Sequence, residues 1–285
     1  MSAIDVARCF GGVSRLYGDA GLAKLQAAHV VVIGIGGVGS WAAEALARNA
    51  VGKLTLIDLD NIAESNVNRQ IHALDGEFGK AKVTAMAQRI RAINPSCQVC
   101  EIEDFITPEN VVELLDFPLE MKADIILDCI DDAKAKVALA AFCQSTKTPL
   151  IMAGAAGGRL DPTRIKTADL SAVTNDKLLA KVRNQLRRDY DFPKASNAKK
   201  SAKFGIICVY SDEPTLMPIE VCALERNNDM VDDALEANAR EAAGDAKNTR
   251  AITGLNCAGY GSSVCVTATF GFVVAQLALN CILQK

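Results

Sequence analysis

A dominant charge of either sign is missing from this chain of 285 residues: 31 Lys and Arg stand against 34 Asp and Glu, a formal net charge of -3. With a pI near 5.6, the protein is not a polycation, which argues against wholesale coating of nucleic acid while leaving room for a local basic patch. Cysteine is sparse too. Ten cysteines are about 3.5% of the chain, well below the density of a small disulfide-stapled scaffold, and nothing resembling a secretory signal precedes Phe10-Gly11-Gly12. A reducing, cytoplasmic setting is expected. The chain holds one Cys-x-x-Cys pair, Cys97 and Cys100, and no partner pair, so no structural zinc is expected. Disorder, collagen and coiled coil are excluded by 50% apolar and 23% charged residues without repeats.

Charge is absent outright from 251 to 284, long enough to cross a bilayer. Gly254, Asn256, Gly259, Gly261, Ser262 and Ser263 break the first half, and Thr267, Thr269, Gln276 and Asn280 interrupt the apolar run over 264–283. A buried or dimer-interface helix is the expectation there, with a membrane anchor as the alternative.

The clearest local signal is Val30-Val31-Val32-Ile33 running into Gly34-Ile35-Gly36-Gly37-Val38-Gly39. Beyond it Val38, Trp41, Ala42, Ala45 and Leu46 fall at helical spacing, with Gly52 expected to close the helix. A second apolar run, Leu54-Thr55-Leu56-Ile57, ends at Asp58, completing a βαβ unit. Further alternation follows: helix over 79–93, strand over 98–102, short helix over 108–115, strand over 124–128, helix over 134–145 and strand over 150–153. This predicts an α/β fold with a doubly wound, mostly parallel sheet. After Gly154 the alternation fades. The stretch 177–203 carries nine basic residues against Asp189 and Asp191, and about 225–250 is acidic, reading as a mobile loop.

A Gly-x-Gly-x-x-Gly turn is weak evidence alone, but here it follows a strand, opens a helix and precedes an acid at the end of the next strand. Its amides and the helix N-terminus suit an anion, and Asp58 is placed for ribose hydroxyls. Arg69 and Lys82 are left without a task by a dinucleotide. A triphosphate under attack needs such cations, because charge builds on the leaving pyrophosphate. Asp131, just past the strand that ends at Asp128, suits Mg²⁺, which takes one or two carboxylates plus phosphate oxygens and water. Either Asp131 or Asp132 could instead cap the following helix.

These residues, with their neighbours, resemble the ThiF/MoeB/HesA superfamily, the adenylating relatives of ubiquitin-activating enzymes. The matching segments are Gly34 to Ser40, Asp58-Leu59-Asp60, Ser65-Asn66-Val67-Asn68-Arg69-Gln70, Gly79-Lys80-Ala81-Lys82 and Asp128-Cys129-Ile130-Asp131. The resemblance implies a Rossmann-like adenylating core over 1–158 that binds ATP through Gly34, Gly36, Gly37, Gly39, Ser40, Asp58, Asp60, Asn66, Arg69, Gln70, Lys82 and Asp128. It also implies that Arg69, Lys82 and Asp131 serve catalysis, with Asp131 holding Mg²⁺. The flanking segments Phe10 to Gly18, Ile71-His72-Ala73-Leu74, Gly154 to Gly158, Val221-Cys222-Ala223 and Val266 to Phe272 resemble the tRNA threonylcarbamoyladenosine dehydratase branch. That implies ATP-dependent cyclisation of the modified nucleoside, a homodimer, and a substrate-binding part over 159–285. Cys222 is either a thiol that accepts sulfur or an acyl group, with a cysteine desulfurase or sulfur-acceptor protein as partner, or a buried or loop cysteine. The family places an arginine directly before Phe-Gly-Gly; Cys9 stands there, leaving Arg8 or Arg15 to reach across a dimer. The basic stretch suits tRNA, with Tyr190 or Phe192 free to stack; DNA is not an expected partner. The alternative is adenylation of the C-terminus of a ubiquitin-like sulfur carrier. A nucleotide sensor without turnover and a nicotinamide dehydrogenase fit less well, since Arg69, Lys82 and Asp131 are all present.

Overall fold

In the computed structural model, residues 5–118, 122–194, 202–217 and 260–285 are described. Seven strands form one sheet in the order β3-β2-β1-β4-β5-β7-β6: β1 His29–Ile33, β2 Lys53–Ile57, β3 Gln98–Ile102, β4 Ile125–Asp128, β5 Leu150–Ala153, β6 Ile165–Asp169 and β7 Ile207–Ser211. Every pairing is parallel except β6 with β7. The helices are α1 Val6–Ala27, α2 Gly39–Arg48, α3 Lys82–Ile93, α4 Val111–Leu115, α5 Ala133–Thr146, α6 Lys177–Asp189 and, renumbered in order, α7 Val264–Gln284.

Strand alternation builds two cores. Val30 and Val32 of β1 pack with Leu46, Leu54, Met86, Phe270 and Val274 under α2, α3 and α7. Val31 and Ile33 face Leu139, Leu179 and Val182 under α5 and α6. Strands buried on both sides must be apolar at successive positions, which is why β1 and β2 read as unbroken runs.

The apolar C-terminal segment is a core helix. Val266, Phe270, Val274, Ala278, Leu279 and Ile282 of α7 join the same cluster as β1 and α2, so the membrane-anchor alternative does not describe its use here. Gly271 permits the approach: a Cβ there would lie 2.5 Å from the Val38 carbonyl oxygen and 2.8 Å from Trp41 Cβ. The division expected at residue 158 is not a break in the sheet, because β7 pairs with β5 and α7 packs over β4, β5 and β7.

Three local expectations need correction. Gly52 does not close α2; the helix ends at Arg48, the left-handed residue is Ala50 (φ 62°), and Gly52 is small because a Cβ would collide with the Gln26 carbonyl. Residues 79–81 are not helical: Gly79 has φ 84°, and the chain pairs with 60–62 through Ile62 N–H to Lys80 O (2.9 Å) and Lys82 N–H to Asp60 O (3.0 Å). Residues 108–110 form the turn before α4, where the Asn110 side chain accepts the Thr107 N–H at 2.8 Å.

Gly271→Ala is expected to cost about 1–3 kcal/mol by overpacking the α2–α7 crossing, read from urea unfolding. Gly12→Ala, which meets nothing within 4 Å, is expected to leave the midpoint unchanged or raise it.

Candidate active site

Parallel strands end together at the carboxyl edge of the sheet, and the chain departs in opposite directions after β1 and β4, leaving a crevice between their loops. The glycine turn lies in that crevice. Gly34 (φ 84°) sits so close to the loop after β4 that a Cβ would come within 2.9 Å of the Cys129 carbonyl, and Gly39 packs on the Gly34 carbonyl. Helix α2 begins without a side-chain cap; the Ser40 N–H donates to Gly36 O at 3.1 Å, and no side chain among the described residues takes its neighbours, which suits an anion.

The acid after β2 is turned inward. Asp58 is 8% exposed; one carboxylate oxygen accepts the Ile35 N–H at 2.6 Å and the other the Asp60 N–H at 2.9 Å. Its first task is therefore to hold the glycine turn. Burial raises its pKa, offset in part by Lys82. Asp60 is the acid that faces solvent. Lys82 leads α3 from a buried position, 2.7 Å from Asp60 Oδ2 and 3.9 Å from Asp58 Oδ1.

Arg69 crosses the turn from the outside. Its stem lies 3.2 Å from where a Gly37 Cβ would be, its guanidinium donates to Ser65 O (2.7 Å) and Asn68 Oδ1 (2.9 Å), and its carbonyl accepts the Trp41 indole N–H at 3.0 Å. Asn66 anchors the segment by accepting the Ala63 N–H at 3.1 Å. Asn68 donates to Ser262 O at 2.9 Å, tying this wall to the start of α7.

Three buried side-chain atoms beside the turn have no hydrogen-bond partner: Ser40 Oγ, Gln70 Oε1 and Thr267 Oγ1. The Gln70 amide lies 4.0 Å from a Gly36 Cβ position, and Thr267 Cβ lies 3.5 Å from that of Gly37. Buried polar groups are seldom left unmatched. A small-residue cradle, an uncapped helix start and three unmatched polar atoms together fit a phosphorylated ligand. In the sequence Thr267 stands within the resembling segment Val266 to Phe272 and as a break in an apolar run, without being singled out as a site residue.

Of the two acids after β4, Asp132 caps α5 by accepting the Ala135 N–H at 2.8 Å, and Asp131 is exposed beside it. Asp128, expected at the ATP site, keeps one carboxylate oxygen without a hydrogen-bond partner. It is 0% exposed, 2.9 Å from the equally buried Lys136 Nζ, and takes the Ile130 N–H at 3.1 Å. Burial raises its pKa, with Lys136 opposing. Lys136 also donates to the Ala153 carbonyl at 2.8 Å, so the pair ties β4, β5 and α5 behind the site. Lys136 was missed because a lysine reads as surface; its phase with Leu139, Ala140 and Cys143 on α5 was the available clue.

Two thiols behind the site are held in the protonated form. Burial pushes both Cys129 and Cys143 up to about 12. Cys97 is buried while Cys100 is exposed, so the lone Cys-x-x-Cys does not present two thiols together. Cys222 and the acidic stretch 225–250 lie outside the described residues.

Residues 12–285 match the ThiF family. The chain belongs to the ThiF family. It is 42% identical over 279 residues to the tRNA threonylcarbamoyladenosine dehydratase of Haemophilus influenzae, and 42% over 280 residues to the protein of that name from Escherichia coli, across 97% of this chain and 94% of each relative. The crystal structure of the E. coli tRNA N6-threonylcarbamoyladenosine dehydratase in complex with ATP has a TM-score of 0.80 and 38% identity to it, covering 100% of this chain and 98% of that one. The ThiF-family fold is thus the doubly wound α/β sheet described above.

Lys136→Met is expected to destabilise by about 3–5 kcal/mol, because it strands a buried carboxylate; Asp128→Leu/Lys136→Met should recover most of that in urea unfolding. His72 is 3% exposed with both ring nitrogens unmatched, and burial, helped by Lys82 and Arg89, lowers its pKa from 6.5 to about 4. The unfolded chain then takes up a proton near pH 6.5 that the folded one refuses until about pH 4. Stability therefore falls as pH drops through that window, by up to about 3 kcal/mol, and His72→Gln should flatten the fall.

Proposed function

We propose that this ThiF-family enzyme dehydrates N6-threonylcarbamoyladenosine in tRNA to its cyclic form, at the expense of ATP. What supports this above all is that similarity to relatives of that name runs through both the nucleotide-binding half and residues 159–285, almost from end to end.

The threonyl carboxylate attacks the α-phosphorus of ATP, and the bond to pyrophosphate breaks. An atom of the neighbouring ureido group then attacks the activated carbonyl carbon, loses its proton and expels AMP. One water is removed overall, its oxygen leaving with AMP. Nucleophile and electrophile share one side chain, so proximity supplies much of the ring-closing rate and a separate enzyme nucleophile is not required. Arg69 and Lys82 stabilise charge at the phosphorus centre. The backbone of the glycine turn, with Ser40, Asn66 and Gln70, holds the phosphates and sugar, with Asp60 outermost.

Among the described residues no group of three or more His, Cys, Asp or Glu could cage a metal. One carboxylate with phosphate oxygens and water is a different arrangement and suits Mg²⁺. Asp131 would hold the ion, which supplies positive charge against the departing pyrophosphate. In this reading the enzyme is a cytoplasmic homodimer in which Arg8 or Arg15, both exposed on α1, reaches the partner's ATP site. Cys222 would engage a cysteine desulfurase or sulfur-acceptor protein.

Adenylation of a sulfur carrier's C-terminus would use the same ATP residues, so the acceptor decides. Pyrophosphate release is expected with tRNA carrying threonylcarbamoyladenosine and not with tRNA lacking it, accompanied by the loss of one water in nucleoside mass analysis. Lys82→Ala should reduce the rate by at least about 10²-fold. Turnover only with a sulfur-carrier peptide would overturn the reading.

A further inference from the structure

Helix α6 holds five basic residues between Lys177 and Arg188 and no acidic one. They divide sharply. Arg183 turns inward to the Val173 carbonyl at 2.6 Å. Arg187 donates to the Pro193 carbonyl at 3.1 Å and lies over the Phe204 ring at 5.3 Å. These two staple the helix to its own flanks. Lys177, Lys181 and Arg188 face solvent together with Asn184, at positions i, i+4, i+7 and i+11 of one face, a rise of about 16 Å.

Several described cations elsewhere are neutralised at home, Arg48 and Arg89 by Glu44, Lys80 by Glu77, Arg91 by Glu101, Arg164 and Lys166 by Asp212 and Lys285 by Asp124, whereas others, such as Lys24, Lys53 and Lys147, are in no ion pair among the described residues. Arg188 is paired with Asp189 at 2.7 Å. Lys177 and Lys181 hold no carboxylate within ion-pair distance among the described residues. A merely solvated helix face would interleave acids four residues away from its lysines. Lys177 also occupies the first turn, the positive end of the helix dipole, where a cation costs stability. A local rule broken without structural return marks a functional position.

The face begins at the rim of the site. Asp176, the N-cap of α6, accepts the Ala155 N–H at 2.9 Å, and Ala155 is in the loop that leaves β5 at the carboxyl edge of the sheet. From there a shallow hollow lined by Lys177, Ala180, Lys181, Asn184, Gln185 and Arg188 follows the helix outward. Beyond it, a second hollow of mixed charge is lined by Ser145, Arg188, Asp189, Tyr190, Asp191 and Lys194, with Tyr190 39% exposed.

We propose that the exposed face of α6, centred on Lys177 and Lys181, is a phosphate-backbone docking strip for the RNA whose modified nucleoside enters the site. It rests on the reading of tRNA as the substrate. Ammonium groups gain affinity by releasing counterions from phosphates, and Asn184 and Gln185 offer amides to phosphate or sugar oxygens. Leu178, Leu179, Val182 and Leu186 are buried in the core, so the helix has no apolar face left for a lipid surface. A strip of cations and amides, without bases to read, positions the RNA and leaves sequence to other contacts.

The test compares the parent with Lys177→Ala/Lys181→Ala and Lys177→Arg/Lys181→Arg, using tRNA with and without threonylcarbamoyladenosine, at about 0.05 to 0.2 M salt. Both substitutions are on an exposed face, and equal ATP affinity and melting temperature establish that the fold is kept. The alanine pair is expected to weaken both tRNAs about tenfold at 0.15 M salt and to flatten the slope of log affinity against log salt by about 1.4 to 1.8. KM for modified tRNA should rise by the same factor with kcat unchanged, and the arginine pair should restore it. An alanine pair that binds tRNA within twofold of the parent overturns the strip. So does a loss confined to phosphatidylserine vesicles or polyglutamate. A parent that turns over modified tRNA while the alanine pair does so at unchanged KM sinks the strip alone; a parent that binds neither tRNA sinks the substrate reading with it.

Discussion

The buried carboxylate of Asp58 is the fixed point from which the nucleotide-binding end of the sheet is built. One oxygen fastens the glycine turn through Ile35 N–H and the other fastens the chain after β2 through Asp60 N–H, while Lys82 stands 3.9 Å away. Taking that charge out of water is unfavourable, and its raised pKa expresses the residual cost. The compensating groups are the amides of Ile35 and Asp60 and the ammonium of Lys82. Preorganisation of the turn and placement of the cation are thus one electrostatic arrangement, in which each member is held by the others in a medium that screens poorly.

A second buried pair repeats the device one strand further on. Asp128 and Lys136 fasten β4, β5 and α5 together just behind the loop that bears Asp131. Neither residue meets solvent, so both act by positioning. The polar groups of this edge divide between those that fix the loops, Asp58, Asn66, Asp128 and Lys136, and those with an unmatched buried atom beside the turn, Ser40, Gln70 and Thr267, with one oxygen of Asp128 in both.

The sequence displayed the first set of elements well, because β1, β2, β4 and β5 are buried on both faces and their apolar runs are bracketed by Gly, Asp and Pro. It displayed β6 poorly. That strand is at the edge, antiparallel, and half exposed along Ile165–Asp169, so neither an apolar run nor a clean alternation marks it. At the site, the glycine turn and the proximity of Lys82 to Asp58 and Asp60 follow from residue type and spacing. The inward turn of Asp58 and the burial of Asp128 do not, since both depend on what the β1 and α5 segments bring alongside. Nine basic residues over 177–203 were visible as a cluster, but only the fold separates Arg183 and Arg187, spent on carbonyls and a ring, from the lysines left outside.

The crossing of α7 over α2 also orders events in time. The glycine turn and its helix lie in the first fifty residues, yet Val38, Ala42 and Leu46 finish their burial against Phe270 and Val274, more than two hundred residues downstream. A nascent chain that has already made the first five strands still lacks the helix that covers β4 and β5 beside α2. Contacts that distant close late, and Thr267 at the rim of the turn arrives with them. A ribosome-bound fragment without α7 therefore exposes the apolar surface of α2 that α7 covers, the kind of surface chaperones bind.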